Sequence, residues 1–318
     1  MRAVRFARSG DPSVLQVDEV PAPRAPKGDE VLVEVGASSV NGTDLGLRRG
    51  DLRPVTLGRL PFTPGFDLAG TVVACGPAVT AFSPGDRVMA LLSHGGGGLA
   101  EQVLLRQHRA AAVPSSVPDE QAAAIPLAGL TALQAVHGAA HLRGRPAPAR
   151  VLVLGAAGGI GAFAVQLARL AGAHVTATAR TAQHAFVAGL GADELLDHRT
   201  QDVTATGLRW DVVVDTPGRY TAEQLRPVLT ADGVHVSTRA LSPDALRSLV
   251  PRALRPAGPS FVAVRTRPVS QDLAHLAALV VASRITVPLD RSFPMEEAAQ
   301  AHRWAEGPAS GKVVIVLR

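Results

Sequence analysis

The chain has 318 residues, 47% of them hydrophobic and 19% charged, which is enough for two domains that each bury a core. No apolar run approaches the roughly 20 residues of a bilayer span, and the single cysteine, Cys75, excludes an internal disulfide and a cysteine-rich zinc site. The net charge of +5 sits on scattered arginines with only 3% aromatic residues, which argues against nucleic acid as the partner.

Residues 1–8 alternate like a strand and lack the apolar region of a signal peptide, so the expected location is the cytoplasm. Up to Pro118 the chain reads as short alternating segments cut by glycine and proline, the mark of an antiparallel β domain. Strands are expected at 31–35, 70–74, 87–91 after the turn Pro84-Gly85-Asp86, and 99–105 beyond a flexible loop at 95–98. Helical patterns at 120–124 and 131–137 lead into alternating strands and helices, with strands at 151–154, 173–179, 194–196, 212–215, 234–237 and 261–264. Six strands with intervening helices predict a doubly wound parallel sheet, hence an α/β fold class. A helix at 272–283 is followed by β-like segments at 285–293 and 312–317, which read as the first domain resumed. The expected domains are therefore 1–118 with 284–318, and 119–283.

The stretch 151–161 reads Val-Leu-Val-Leu-Gly-Ala-Ala-Gly-Gly-Ile-Gly and runs straight into an apolar helix pattern. Four aliphatic residues make a buried strand and the glycines a tight turn, so the helix points its N-terminus back at the turn. Free backbone N–H groups and the positive end of the helix dipole suit a pyrophosphate, which assigns dinucleotide binding to Ala157, Gly158, Gly159, Ile160 and Gly161. Ala156 stands in for the first glycine of the fingerprint. A glycine-rich turn without ligand is the alternative, and the βαβ spacing around this one speaks for a ligand.

Several further segments occur in a fixed order: Val40-Asn41-Gly42-Thr43-Asp44, Pro64-Gly65-Phe66-Asp67-Leu68-Ala69-Gly70, Pro84-Gly85-Asp86-Arg87-Val88, Ala123-Ala124-Ile125-Pro126-Leu127-Ala128-Gly129-Leu130-Thr131-Ala132, Leu190-Gly191-Ala192-Asp193 and Gly311-Lys312-Val313-Val314. With these segments the chain resembles, end to end, the medium-chain dehydrogenase/reductase superfamily, and within it the zinc-free quinone oxidoreductases of the zeta-crystallin type. The resemblance implies a GroES-like β domain plus an inserted Rossmann doubly wound parallel-sheet domain, with the active site in the cleft between them. It also implies a homodimer, for which the edge strand 261–264 is the candidate surface. The zinc-dependent branch has a cysteine where this chain has Asn41 and a histidine where it has Phe66. Phenylalanine has no lone pair and a neutral amide is a poor zinc ligand, so no metal is expected. Polarising a carbonyl then falls to hydrogen-bond donors, and the hydride to a nicotinamide.

An NAD-binding chain places an acid about 20 residues past the fingerprint, on the ribose 2′-hydroxyl. Here that stretch is Thr178-Ala179-Arg180-Thr181, with no acid before Asp193. Arg180 can pair bidentately with a 2′-phosphate and Thr181 can donate to it; the alternative is a solvated strand end. His184 replaces a lysine common in the family and His198 a tyrosine, so the expected cofactor is NADP(H). By resemblance Asn41 and Thr131 lie near the nicotinamide ribose and carboxamide, although Asn-Gly is also a plain turn signal. Asp44 is a candidate for chemistry or, one helical turn from Arg48, for a structural ion pair. His94 has the free pKa for proton transfer near neutrality, or is an ordinary exposed histidine. Tyrosines that bacterial quinone reductases carry close after Asp44 are replaced by Gly46 and Leu52, which removes a phenolic proton donor. The leading expectation is an NADPH-dependent, zinc-independent reductase of a quinone or of the C=C bond of an α,β-unsaturated carbonyl compound. A biosynthetic enzyme with altered or non-redox chemistry, and a cofactor-binding structural or RNA-binding protein of the zeta-crystallin kind, remain as alternatives.

Overall fold

The computed structural model describes residues 1–52, 60–93, 95–142, 148–238, 258–307 and 309–318, and the chain divides into two compact units. The first comprises residues 1–130 and 268–318, the second residues 131–267.

The first unit opens with the antiparallel pair β1 (Arg2–Arg5) and β2 (Gln16–Glu19). In β3 (Glu30–Val40), Val31, Val33 and Val35 are buried at the two-residue period of a strand with one solvated face, and the second half is buried throughout. Then come α1 (Gly42–Arg49), β4 (Asp67–Cys75), β5 (Arg87–Leu91), β6 (Gln102–Arg106) and β7 (Ala110–Ala112). Two helices follow, α2 (Asp119–Ala124) and α3 (Pro126–Leu133), the second running on into a π-helical stretch, Gln134–Ala139.

The second unit contains β8 (Arg150–Leu154), α4 (Gly159–Leu170), β9 (His174–Thr178), α5 (His184–Gly189), β10 (Glu194–Leu196), β11 (Trp210–Asp215), α6 (Ala222–Leu225), β12 (Leu229–Ser237) and β13 (Ser260–Ala263). These six strands pair in parallel in the order β10-β9-β8-β11-β12-β13. Val151 to Leu154 of β8 are all buried, as a central strand covered on both faces requires. The chain leaves β8 toward β9 on one side and later returns to β11 on the other. A crevice therefore opens at the C-terminal ends of β8 and β11, the position where doubly wound sheets bind ligands.

The tail supplies α7 (Ser270–Val281), β14 (Leu289–Pro294), α8 (Ala298–Glu306) and β15 (Lys312–Val316). β15 pairs antiparallel with the second half of β3, so the tail completes the sheet begun at the N-terminus, in the order β14-β15-β3-β4-β5-β7 with β6 against β3. The division into units falls at 130/131 and 267/268, where the sequence pattern set it at 118/119 and 283/284. The cause is packing: α2 lies on β3 and β4, and α7 on β7 and β5, so both helices belong to the β unit although they read as the start and end of the α/β pattern. The β-like segment at 285–293 is a strand only over Leu289–Pro294; Pro288 just before it has no N–H to give to a ladder.

Candidate functional site

In the turn after β8, Gly155 has φ +68°, the left-handed region that favours glycine, and a Cβ there would lie 2.7 Å from Pro217 Cγ. The Gly155 and Ala156 N–H groups donate back to Thr178, to Oγ1 at 3.1 Å and O at 2.9 Å, which ties the turn to the end of β9. Gly158 is the N-cap of α4 and brings no side chain, while the N–H groups of Gly159, Ile160 and Gly161 in the first turn have no acceptor within the helix. A Cβ on Gly161 would meet Gly155 O at 2.3 Å and Ala156 Cα at 2.8 Å, so the helix packs onto the strand only with glycine here. A Cβ on Gly158 would meet Gly155 O at 3.3 Å and no other atom within 4 Å; a larger side chain there would fill the cradle without disturbing its walls. Ala157 is buried in the same turn. Bare amides, a helix N-terminus and room kept by glycine fit a pyrophosphate.

Beyond β9, Arg180 donates from Nε to Gln183 Oε1 at 3.0 Å, which orients the guanidinium. Thr181 donates from both its backbone N (2.8 Å) and its Oγ1 (2.5 Å) to Asp197 Oδ2. Asp197 also accepts from the Arg199 N–H at 2.9 Å; these bonds, the Thr181 hydroxyl foremost, hold its carboxyl well below the usual carboxylate range. The sequence reading missed this acid because it lies past the end of the neighbouring strand β10, not of β9. A bond from Thr181 Oγ1 to a phosphate has to replace the one to Asp197. His184 Nε2 lies 3.3 Å from Ala179 O, and His198 is exposed beside Asp197. Thr131, 3% exposed, shares a 2.6 Å hydroxyl contact with Thr266.

In the first unit, α1 starts at Asn41, and Asp44 in its first turn accepts from the Asn41 N–H at 2.9 Å and from the Gly65 N–H at 2.7 Å. Asp44 and Arg48 do not pair as expected. Asp44 is turned back to cap its own helix, whereas Arg48, 1% exposed, donates to Gly10 O and pairs with Glu306 of α8. Burial raises the Asp44 carboxyl to about 7, against its two backbone donors and Lys312, with the Asp67 charge adding to the rise.

Asn41 Nδ2 donates to Asp67 Oδ2 at 2.9 Å and to Ser39 O at 3.2 Å, and Asn41 Oδ1 accepts from Lys312 Nζ at 2.5 Å. Asp67 Oδ1 accepts from the Leu127 N–H at 2.7 Å, and Ser39 Oγ donates to Oδ2. Lys312 is pushed down by burial while the two carboxylates hold it up. Neither Asp67 nor Lys312 stood among the sequence candidates, although both lie in segments that carried the resemblance, Pro64 to Gly70 and Gly311 to Val314. His94 lies outside the described residues. Leu52 closes on Gly46, its Cδ1 3.1 Å from where a Gly46 Cβ would sit. Among the described residues no three His, Cys, Asp or Glu side chains converge to hold a metal ion, and no helix is long and apolar enough to cross a membrane.

Two family models match the chain, an alcohol dehydrogenase GroES-like domain over residues 27–115 and a zinc-binding dehydrogenase over residues 190–315. The chain is 35% identical to the chloroplast envelope quinone oxidoreductase homolog of Arabidopsis thaliana, over 99% of its own length and 98% of that protein. Among solved structures, the quinone oxidoreductase from Coxiella burnetii superposes with a TM-score of 0.90 at 29% identity, covering 100% of this chain and 99% of that one. A mycobacterial protein complexed with NADPH superposes with a TM-score of 0.83 at 27% identity, with 100% of both chains covered. With a GroES-like β unit, a Rossmann unit and relatives of this identity across its whole length, the chain belongs to the quinone oxidoreductases of the medium-chain dehydrogenase/reductase superfamily, which are nicotinamide-dependent oxidoreductases.

Proposed function

We propose that the protein is an NADPH-dependent, zinc-independent reductase of conjugated carbonyl compounds, taking quinones or the C=C bond of α,β-unsaturated carbonyls. The observation that carries the cofactor is Arg180, a cation held by Gln183 past the end of β9, where an NAD-binding chain would offer a carboxylate. The turn from Ala157 to Gly161 would hold the pyrophosphate, and Arg180 the 2′-phosphate, with Thr181, His184 and His198 beside it. Bound there, the nicotinamide supplies a hydride. What the chain itself must do is exclude water, orient an acceptor and hold a proton. Zinc independence rests on Asn41 and the buried Phe66, which offer no metal-binding atoms worth the name.

Asp197 favours a second reading, NADH, because its carboxylate stands next to Thr181 and would repel a 2′-phosphate. We favour NADPH because three donors already face that carboxylate and Arg180 lies on the same loop. The cytoplasm is the proposed location, and a homodimer through β13, the last strand of its sheet among the described residues, the proposed assembly. The test is consumption of NADPH and of NADH with a panel of quinones and enones. Turnover with NADPH and a conjugated acceptor supports the proposal; cofactor binding without turnover of any acceptor would favour the non-redox or structural readings.

A further inference from the structure

We infer that Lys312 is a positioning residue: its ammonium locks the Asn41 carboxamide so that Asn41 can meet a ligand only as a hydrogen-bond acceptor. The inference rests on the proposed reductase function and on the expectation, given by the resemblance, that Asn41 lies near the nicotinamide ribose and carboxamide. Three neighbouring strands bring the groups together: Lys312 opens β15, Asn41 follows the last residue of β3, and Asp67 opens β4. All three are buried, at 2%, 7% and 0% exposure.

An ammonium has three N–H bonds and no acceptor. Those of Lys312 have three oxygens to meet: Asn41 Oδ1 at 2.5 Å, Val40 O at 3.3 Å and Asp67 Oδ2 at 3.5 Å. The carboxamide of Asn41 has two N–H bonds, and both are engaged inside the unit, by Asp67 Oδ2 and Ser39 O. Flipping the amide would set its NH2 against an ammonium and its oxygen against a carboxylate, so the orientation is fixed by charge on both sides. One lone pair of Oδ1 remains. A group that bonds to Asn41 must then bring its own proton, as a ribose hydroxyl or a carboxamide N–H does. A substrate carbonyl oxygen finds no donor there. Asn41 therefore recognises a donor, and the polarisation of a substrate carbonyl belongs to some other group.

The chain contains two lysines, Lys27, which is exposed, and Lys312, so 15N-lysine labelling of the full-length protein gives two ammonium signals. The expected result is one ammonium exchanging freely with water and one protected; a second sample labelled with 15N-asparagine, of which the chain has only Asn41, should give one pair of side-chain amide signals in slow exchange that lose protection in Lys312→Met. In turnover of NADPH with 1,4-benzoquinone, Asn41→Ala and Lys312→Met should each lower kcat/KM about tenfold or more, and the double variant no further than Asn41→Ala alone. An ammonium of Lys312 that exchanges like that of Lys27, Asn41 amide signals unchanged in Lys312→Met, or losses that add in the double variant would each overturn the inference. If Lys312→Met does not fold, the two wild-type spectra decide the matter. If the wild type turns over no acceptor, the reductase reading fails, while the spectra still test the lock on Asn41.

Discussion

Gly158 and Gly161 lie in one turn, yet side chains at these two positions should fail in different ways. In Gly161→Ala the new Cβ starts 2.3 Å from Gly155 O, and opening that contact to an ordinary separation shifts α4 by about 1 Å from β8. A gap of that size forfeits a quarter to a half of each packing contact, and residues Gly161 to Ala168 of α4 are buried throughout. The overpacking costs about 2–3 kcal/mol, offset by about 1 kcal/mol of helix propensity gained over glycine. The net loss of about 1–2 kcal/mol should lower Tm by roughly 2–8 °C. In Gly158→Val the Cβ has only Gly155 O at 3.3 Å to accommodate, and the backbone there, φ −80° and ψ 168°, suits any residue. Tm should stay near that of the wild type while NADPH no longer titrates, because the side chain occupies the pyrophosphate cradle. Thermal unfolding followed by fluorescence, paired with NADPH titration of the same samples, reads both effects. Wild-type affinity in Gly158→Val, or an unchanged Tm in Gly161→Ala, would refute the reasoning.

Purified protein should carry no stoichiometric zinc by elemental analysis, and chelators should leave turnover unchanged; a tightly held zinc overturns the reading of Asn41 and Phe66. Burial, with Arg48 adding to it, pushes His302 down to about 3, so below pH 6.5 the unfolded chain gains a proton that the folded one refuses. The His302 contribution should accordingly lower stability as pH drops from about 6.5 toward 3, and His302→Phe should be less destabilised than the wild type over that range; an equal pH dependence in the variant contradicts the assignment. Asp44 acts with the opposite sign: raised to about 7, it contributes stability that is full below about 4 and is lost as pH rises through 7, a decline that Asp44→Asn should remove. Glu306→Gln removes the carboxylate that balances the buried Arg48 and should cost about 2 kcal/mol, seen as a lower urea midpoint with unchanged m.

The glycine turn after β8 was legible because its requirements are local: a run of four aliphatics, a left-handed Gly155 and a Gly161 without room for a Cβ lie within eleven residues. The doubly wound sheet was legible for the same reason, since each of its strands is a short apolar run between turns. Contacts between distant residues left no such signal. Lys312 and Asn41 are 271 positions apart, and only the antiparallel pairing of β15 with β3 joins them. Asp197 answers Thr181 across the parallel pair β9 and β10, a register that spacing along one strand does not reveal. The inward face of α8 is made of Ala298, Ala301 and His302, which do not read as an apolar stripe, so a histidine on a helix pattern gives no sign in the sequence of being buried. Arg48 and Asp44 sat at the right helical spacing for an ion pair, but each found a better partner in the fold, Glu306 for one and two backbone N–H groups for the other.

The central claim, a cofactor site built for the 2′-phosphate, is tested most directly by dissociation constants for NADPH and NADH measured at one fixed salt concentration in the wild type and Arg180→Ala. A charge-assisted bond of about 1.5–3 kcal/mol predicts NADPH weakened roughly ten- to a hundredfold, with NADH nearly unaffected. A wild type that prefers NADH, or a ratio that Arg180→Ala leaves unchanged, would contradict the account and give the site to Asp197.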